Sequence, residues 1–328
     1  MRKFVKVLFI IIAIFVVGLA AVGLYVKKAL PNVGDAPDIT VERTAERVKK
    51  GEYLAMHVMA CMDCHSQRDW SVYGAPIVEG TLGSGGEKFG KEMQFPGTIY
   101  APNITAYSLE SWTDGELFRA ITTGQSKSGK AIFPMMGYLN YGKMDQEDVY
   151  SIIAYLRSLP AIQNDVPATE LDFPVNFLVN TIPTPAALKP KPASTDEVAY
   201  GGYLVSIANC LDCHSQVDKK GNLIPGTEFS GGRPFYFPNG TLVTTANISP
   251  DSETGIGNWT REAFIQRFKQ YSDSSYMAQK LGPNDFNTPM PWLLYSGMDT
   301  SDLSAIYSYL RTVKKQNHPV KIFTRIKP

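Results

Sequence analysis

The chain begins with its longest hydrophobic run. No charged residue occurs from Val7 to Val26, and a helix of this length can cross a bilayer core of about 30 Å. A cleaved signal peptide is the competing interpretation, but its apolar region is normally about 7 to 15 residues long and ends in small residues. Here the run leads into Tyr25, Lys27 and Lys28. We therefore predict a retained transmembrane signal anchor over residues 1–30.

Two later segments have apolar residues at helical spacing, and each follows an aspartate. Residues three or four positions apart would line one face of a helix, and Asp145 and Asp299 are the predicted N-caps. Thr113 followed by Glu116 predicts a capping box, and Ser194 with Glu197 predicts another. The periodic residues are Val149, Ile152, Ile153 and Leu156 in the first segment, and Leu303, Ile306, Tyr307 and Leu310 in the second.

These segments belong to an internal repeat. Gly51-Glu52-Tyr53-Leu54 corresponds to Gly201-Gly202-Tyr203-Leu204, and Ser84-Gly85-Gly86 corresponds to Ser230-Gly231-Gly232 in the same order. The repeat predicts one domain at residues 40–162 and a second at 194–320. A proline-rich connection at 163–193 joins them, and its apolar middle is expected to pack along a domain surface.

All four cysteines of the 328-residue chain lie in two pentapeptides at matching places in the repeat. They are Cys61-Met62-Asp63-Cys64-His65 and Cys210-Leu211-Asp212-Cys213-His214. In a Cys-x-x-Cys-His run the cysteines attach haem c and the histidine binds its iron. Paired zinc half-sites usually lie roughly 15 to 20 residues apart, and a redox dithiol does not require the following histidine. The sequence therefore predicts two covalently attached haem c groups.

Each iron needs a ligand opposite its histidine, and methionine is the usual one in electron-carrying cytochromes c. Met136 and Met290 occupy matching loops before the last helix of each repeat and are the predicted ligands. Met135 is the reserve candidate. Met144 and Met298 are equally well repeated, but each directly precedes a helix cap, where a hydrophobic staple would pack. His57, one helical turn before Cys61, is predicted to have a packing or surface role.

Haem chemistry also predicts the location of the chain. Bacterial haem c is attached outside the cytoplasmic membrane, so we expect everything after Lys28 to lie on the periplasmic, extracytoplasmic side of the inner membrane. The net charge of +1 gives no clear steering signal, so we infer no strongly one-sided docking face from it. The sequence contains no pattern that favours nucleic-acid binding.

On these residues the chain resembles the class I c-type cytochromes, and more closely the cytochrome c subunits of membrane alcohol and gluconate dehydrogenases. The resemblance covers roughly Thr40 to Val320. Its most telling stretches are 246–260, the Thr288-Pro289-Met290-Pro291-Trp292 loop and 152–160. It implies an all-α fold, namely two tandem class I cytochrome c domains after the transmembrane helix, with His/Met ligation of each iron. Those subunits commonly carry three haems, whereas this chain has two attachment motifs.

Three functions follow from this resemblance and from the motifs. The leading one is a membrane-anchored dihaem electron carrier between a quinol-oxidising complex or dehydrogenase and a terminal oxidase or soluble acceptor. The second is an enzyme, a dihaem peroxidase or a thiosulfate dehydrogenase. The latter uses a cysteine ligand, whereas every cysteine here belongs to an attachment motif. The third is a permanently bound subunit of a respiratory complex, which differs from the first mainly in the lifetime of its contact with redox partners.

Overall fold

The computed structural model describes residues 2–219, 221–273 and 275–326. Met1, the first residue of the predicted anchor, lies outside the described residues. We call residues 40–162 the first half and 194–320 the second half. The α-helices are α1 (Arg2–Ala29), α2 (Ala45–Tyr53), α3 (Cys61–Cys64), α4 (Ala106–Leu109), α5 (Asp114–Thr123), α6 (Tyr138–Tyr141), α7 (Gln146–Ser158), α8 (Val175–Leu178), α9 (Glu197–Ile207), α10 (Cys210–Cys213), α11 (Arg261–Lys269), α12 (Trp292–Tyr295) and α13 (Thr300–Leu310).

Each half contains one closely packed pair of helices. Helix α2 packs on α7, and α9 packs on α13. A Cβ atom added to Gly51 would lie 1.8 Å from Ser151 O, and one added to Gly201 would lie 1.9 Å from Ala305 O. Any side chain there would collide with the backbone of the facing helix. The repeated glycine is therefore explained by close helix packing.

The predicted starts of the last helices are largely correct. Asp145 is the N-cap of α7, and its Oδ1 accepts the N–H of Glu147 at 3.0 Å. Asp299 occupies the N-cap of α13 without a side-chain hydrogen bond to that helix. Met144 and Met298, which precede these caps, are completely buried, as expected for packing residues.

The other two capping predictions have opposite outcomes. The capping box of Thr113 and Glu116 is confirmed, with both reciprocal hydrogen bonds present. The box predicted for Ser194 is wrong, because α9 is capped by Asp196, whose Oδ1 accepts the N–H of Ala199 at 3.2 Å. Two residues capable of capping stand close together here, so the pattern alone selects the wrong one.

The all-α prediction is wrong, because two three-stranded antiparallel sheets accompany the helices and the chain is of mixed helix and strand. In the first sheet Phe89 pairs with Ile99, and in the second Phe235 pairs with Val243. The sheets have the orders β1-β2-β3 and β4-β5-β6, with the strands β1 (Lys88–Phe89), β2 (Gly97–Tyr100), β3 (Glu170–Leu171), β4 (Pro234–Tyr236), β5 (Thr241–Thr244) and β6 (Phe323–Arg325).

Both sheets were missed because their strands are short and partly distant in sequence. The central strands β2 and β5 have four residues each, with only two inward-facing positions, too few for a clear alternating pattern. Strand β3 comes from the proline-rich connection and β6 from the carboxy-terminal segment. Consequently, their pairing depends on tertiary folding. Because β3 joins the first sheet, the connection is attached to the first half, not a free linker.

Helix α1 is the one described helix that is long and apolar enough to cross a membrane. Its most apolar 18-residue window has a mean hydropathy of 3.1 and is not buried in the protein. A membrane span and a signal sequence both have these properties. The helix contacts α8 and the following 3-10 turn at Val179–Thr181, which belong to the proline-rich connection.

The two halves exchange equivalent tyrosine contacts. Tyr53 Oη donates to Asp302 Oδ2, and Tyr203 Oη donates to Asp148 Oδ2, both at 2.7 Å. Each hydroxyl also accepts the N–H of the N-cap residue of the same partner helix, at 2.9 and 3.4 Å respectively. Because the tyrosines match in the repeat, as do the aspartates, the halves meet with pseudo-two-fold symmetry.

Candidate functional site

Both Cys-x-x-Cys-His motifs fold into the same single helical turn. Helices α3 and α10 each begin at the first cysteine and end at the second. The residues before them, Ala60 and Asn209, have positive φ angles of 50° and 55°. Positions three apart lie on one side of a helix, so this turn presents both sulfur atoms of a motif in the same direction. The N–H of the following histidine bonds to the carbonyl of the first cysteine at 3.0 Å in the first motif and 2.8 Å in the second.

A π-helical turn distinguishes the first attachment segment from the second. Tyr53 precedes Cys61 by eight positions, whereas the equivalent Tyr203 precedes Cys210 by seven. The extra residue is accommodated in the π-helical turn Leu54–Val58 that continues α2. Such turns commonly absorb single insertions and often occur at functional sites. His57 lies in this turn.

The two histidine rings are fixed in the same way. His65 Nδ1 lies 2.8 Å from Pro102 O, and His214 Nδ1 lies 2.8 Å from Ala246 O. A carbonyl oxygen can only accept, so Nδ1 carries the hydrogen and the neutral ring keeps its lone pair on Nε2. Burial lowers the pKa of both rings, which favours this neutral form. A histidine that binds a metal through Nε2 is typically oriented by such a second-shell acceptor.

One glycine in each half brings the acceptor carbonyl group close to its histidine. Gly85 N donates to His65 O, and Gly231 N donates to His214 O, both at 2.8 Å. The two glycines have φ angles of +68° and +69°, and a Cβ atom added to either would lie 2.4 Å from backbone atoms of the segment that follows β2 or β5 and supplies the acceptor. The repeated Ser-Gly-Gly sequence therefore closes the loop around each histidine.

The predicted methionine ligands lie at equivalent places. Met136 O accepts the N–H of Tyr138 at 2.8 Å, and Met290 O accepts the N–H of Trp292 at 2.8 Å. Both methionines are partly buried against the hydrophobic core, and each lies two positions before the first residue of its short helix, α6 or α12. Met135 lies three positions before α6 and therefore does not match Met290. Met136 and Met290 therefore remain the proposed ligands in preference to Met135.

The cysteine thiols have properties unlike those of an activated redox pair. All four are free of disulfide bonds. Burial raises the pKa of Cys61, Cys64 and Cys210 to about 12, and it also raises that of Cys213. Reactive dithiols usually have depressed pKa values. The raised pKa values therefore do not fit an activated redox dithiol.

Buried polar atoms around the first motif test whether the site suits a haem. Within the described ranges, five side-chain atoms are buried without a hydrogen-bond partner, and three of them, Arg68 Nε, Ser84 Oγ and Tyr138 Oη, belong to segments next to the proposed haem-binding residues. Ser84 adjoins the glycine loop, and Tyr138 follows Met136 by two positions. Unsatisfied buried donors are rare in complete protein structures. They fit a site that is completed by a bound group with acceptor oxygens, as the haem propionates provide.

No protein-family model matches the chain. The cytochrome c subunit of alcohol dehydrogenase (quinone) from Gluconacetobacter polyoxogenes is 26% identical over 299 residues, covering 85% of this chain and 58% of that protein. The gluconate 2-dehydrogenase cytochrome c subunit from Pantoea cypripedii is 24% identical over 298 residues, covering 85% and 62% respectively. The chain resembles the cytochrome c subunits of dehydrogenases.

The resemblance to cytochrome c extends to a dihaem protein. A diheme c-type cytochrome from Cereibacter sphaeroides is 25% identical over 199 residues, covering 58% of this chain and 63% of that protein. This cytochrome c-like chain spans about three fifths of the length of these curated relatives. The predicted resemblance to dehydrogenase cytochrome subunits is thus confirmed.

A buried charge cluster beside the first motif of this cytochrome c-like chain is not predicted by the sequence patterns. Arg68 donates to Asp63 Oδ2 at 2.6 Å and to Glu87 Oε1 at 3.0 Å. Its guanidinium lies 4.2 Å from the centre of the Trp70 ring, and only 5% of its side chain is exposed. In the second half Arg233, which matches Glu87, instead donates to the carbonyl of Asp212 at 2.6 Å. The charged residue directly after each Ser-Gly-Gly sequence was the available signal.

Proposed function

We propose that this chain is a membrane-anchored dihaem cytochrome c that relays electrons from a dehydrogenase or quinol-oxidising complex to an oxidase or soluble acceptor. The observation that carries the proposal is the duplicated attachment turn, in which each histidine commits Nδ1 to a backbone carbonyl at 2.8 Å. This arrangement leaves one nitrogen lone pair on each ring for iron.

The residues divide into attachment and ligand roles. Cys61 and Cys64 would attach the first haem, with His65 and Met136 as iron ligands. The second haem would use the corresponding Cys210, Cys213, His214 and Met290. When bound, each haem supplies a one-electron iron couple, and methionine ligation raises its potential relative to a second histidine. The protein contributes covalent retention, orientation of the histidine rings and partial exclusion of water.

Electron relay is favoured over catalysis by the repeat itself. Both halves provide a methionine at the same position of a partly buried loop, so each iron is proposed to have two protein ligands. A peroxidase needs an iron with an open or displaceable position. The relatives in alcohol and gluconate dehydrogenases are named as cytochrome c subunits, which supports a redox subunit as partner.

Helix α1 is proposed to hold the chain in the inner membrane, with both halves on the extracytoplasmic side. Support comes from the apolar window of this helix, which is not buried in the protein. Alkaline extraction of membranes should leave the full chain in the pellet. Protease added to spheroplasts should digest both haem-bearing halves, whereas protection of these halves would contradict the proposed orientation.

The haem ligands can be tested by near-infrared absorption of the oxidised full chain in mild detergent. Met290→Ala and Met136→Ala should each remove about half of the sulfur-to-iron band, since each variant removes one of the two axial methionines proposed here. Met277→Ala is the matched control, because Met277 is 86% exposed. Retention of the whole band in either ligand variant would contradict that assignment. Rapid turnover of peroxide or thiosulfate by the unaltered chain would contradict the relay.

A further inference from the structure

His57 connects the first attachment segment to the second half. Its Nδ1 lies 2.8 Å from Leu294 O and therefore donates a hydrogen bond to it. Leu294 belongs to α12, which begins two positions after Met290. A Cβ atom added to Gly297 would lie 2.1 Å from the same Nδ1 atom. The ring thus fits closely against the segment that follows the second half's proposed methionine ligand.

A reciprocal contact connects the first half to the second attachment turn. Asn140 Nδ2 lies 2.7 Å from Asn209 Oδ1 and 2.7 Å from Asp212 Oδ2. Asn140 belongs to α6, which begins two positions after Met136, and it matches Leu294 in the repeat. A Cβ atom added to Gly137 would lie 2.5 Å from the Asn209 amide. Here too the fit is tight.

Helices α6 and α12 need packing against other segments to hold their position. Each has only four residues, and neither has a side-chain hydrogen bond at its N-cap. Helices this short are unstable in isolation, because nucleation costs more than one turn can recover. Packing must therefore fix them, and part of that packing comes from the other half of the chain.

We infer that each attachment segment positions the methionine loop of the opposite half, so that the two haem sites are coupled. The inference rests on the proposed haem ligation. His57 and Asn209 act as positioning residues. A disturbance at the first attachment segment should loosen Met290, whereas one at the second should loosen Met136. The histidine without a ligand role thereby gains a function that its place in the sequence does not reveal.

The test isolates one methionine band at a time in the full chain. In a Met136→His background, only Met290 gives a sulfur-to-iron band. His57→Phe should remove more than half of that band, because the ring remains but its N–H donor is lost. His57→Gln supplies a side-chain N–H and should restore most of it. In a Met290→His background, the same His57→Phe change should leave the Met136 band unaltered.

Asn209→Ala provides the reciprocal test if His57→Phe fails to take up haem. Alanine is the residue at the matching position 60, which has a similar backbone conformation. In the Met290→His background this change should remove more than half of the Met136 band, although Asn209 adjoins the other haem's cysteine. An unchanged band, or equal losses in both backgrounds, would overturn the coupling. Absence of any band from the unaltered chain would instead refute methionine ligation itself.

Discussion

Replacing Asp148 with asparagine should destabilise the folded chain much more than the matched change at Asp302. Asp148 is 2% exposed and receives hydrogen bonds from Lys50, from Lys191 at 2.8 Å and from Tyr203 at 2.7 Å. Neither lysine is among the hydrogen-bond donors to Asp302, which accepts from Tyr53 at 2.7 Å. The two positions are equivalent in the repeat, so each serves as a control for the other.

The expected magnitude follows from the exposure of the partners. A hydrogen bond to a buried charged group contributes about 1.5 to 3 kcal/mol. The side chains of Lys50 and Lys191 are 38% and 32% exposed, so both can regain water, and each contact counts for about 1 kcal/mol or less. Together with the weakened tyrosine bond, Asp148→Asn should cost about 2 to 3 kcal/mol. Asp302→Asn should cost less than about 1 kcal/mol, because it also removes a buried charge for which the described residues provide no lysine partner.

Urea unfolding of the haem-loaded chain in detergent, followed by far-ultraviolet circular dichroism at pH 7, measures this difference. Asp148→Asn should lower the unfolding midpoint clearly and Asp302→Asn only slightly, with unchanged slopes. Equal losses in the two variants would refute the argument that the lysines offset the burial of Asp148. A larger loss of stability in Asp302→Asn than in Asp148→Asn would contradict the predicted order of the two variants.

Three further outcomes are expected. Gly231→Ala should reduce haem retention on denaturing gels, because the added Cβ would lie 2.4 Å from Ala246 C. Gly226 has a similar φ angle but open space around it, so the control Gly226→Ala should retain haem normally. Equal haem retention in the two variants would contradict the loop-closing role of Gly231. Arg68→Met should destabilise the chain by about 3 kcal/mol or more, because it leaves Asp63 and Glu87 without the cation that pairs with both; an unchanged urea midpoint would contradict this. Burial would raise the pKa of Asp148, but hydrogen bonds from Lys191, Lys50 and Tyr203 outweigh it and lower that pKa, while burial raises the pKa of Asp302. As pH falls from about 7 to 4, protonation of Asp302 should raise the stability of the unaltered chain relative to Asp302→Asn. The stability advantage of the unaltered chain over Asp148→Asn should instead disappear below this range, as pH falls through the lowered pKa of Asp148. Stability differences that do not change with pH would refute both expectations.

Local patterns predicted much of the helical framework. The cap at Asp145, the capping box at Thr113 and the burial of Met144 all depend on neighbouring residues. The repeat also identified Gly51 and Gly85, although the close backbone contacts that require them become clear only in the structure.

The remaining features depend on contacts between distant residues. Strands of two to four residues carry too little periodicity, and β5 pairs with β6 across about 80 positions of sequence. Tyr53 reaches Asp302 and His57 reaches Leu294 across more than 200 positions. No local rule predicts that two duplicated units will pack face to face. The contacts that support the proposed coupling of the two sites therefore could not be predicted from sequence patterns.

The most direct test of the central claim is the number of haems attached to the denatured full chain. Intact mass combined with the pyridine haemochrome spectrum should give two covalently bound haems per chain. Replacing Cys61 and Cys64 together, or Cys210 and Cys213 together, should leave one. A chain that carries no haem, or that keeps two after either double replacement, would contradict the account.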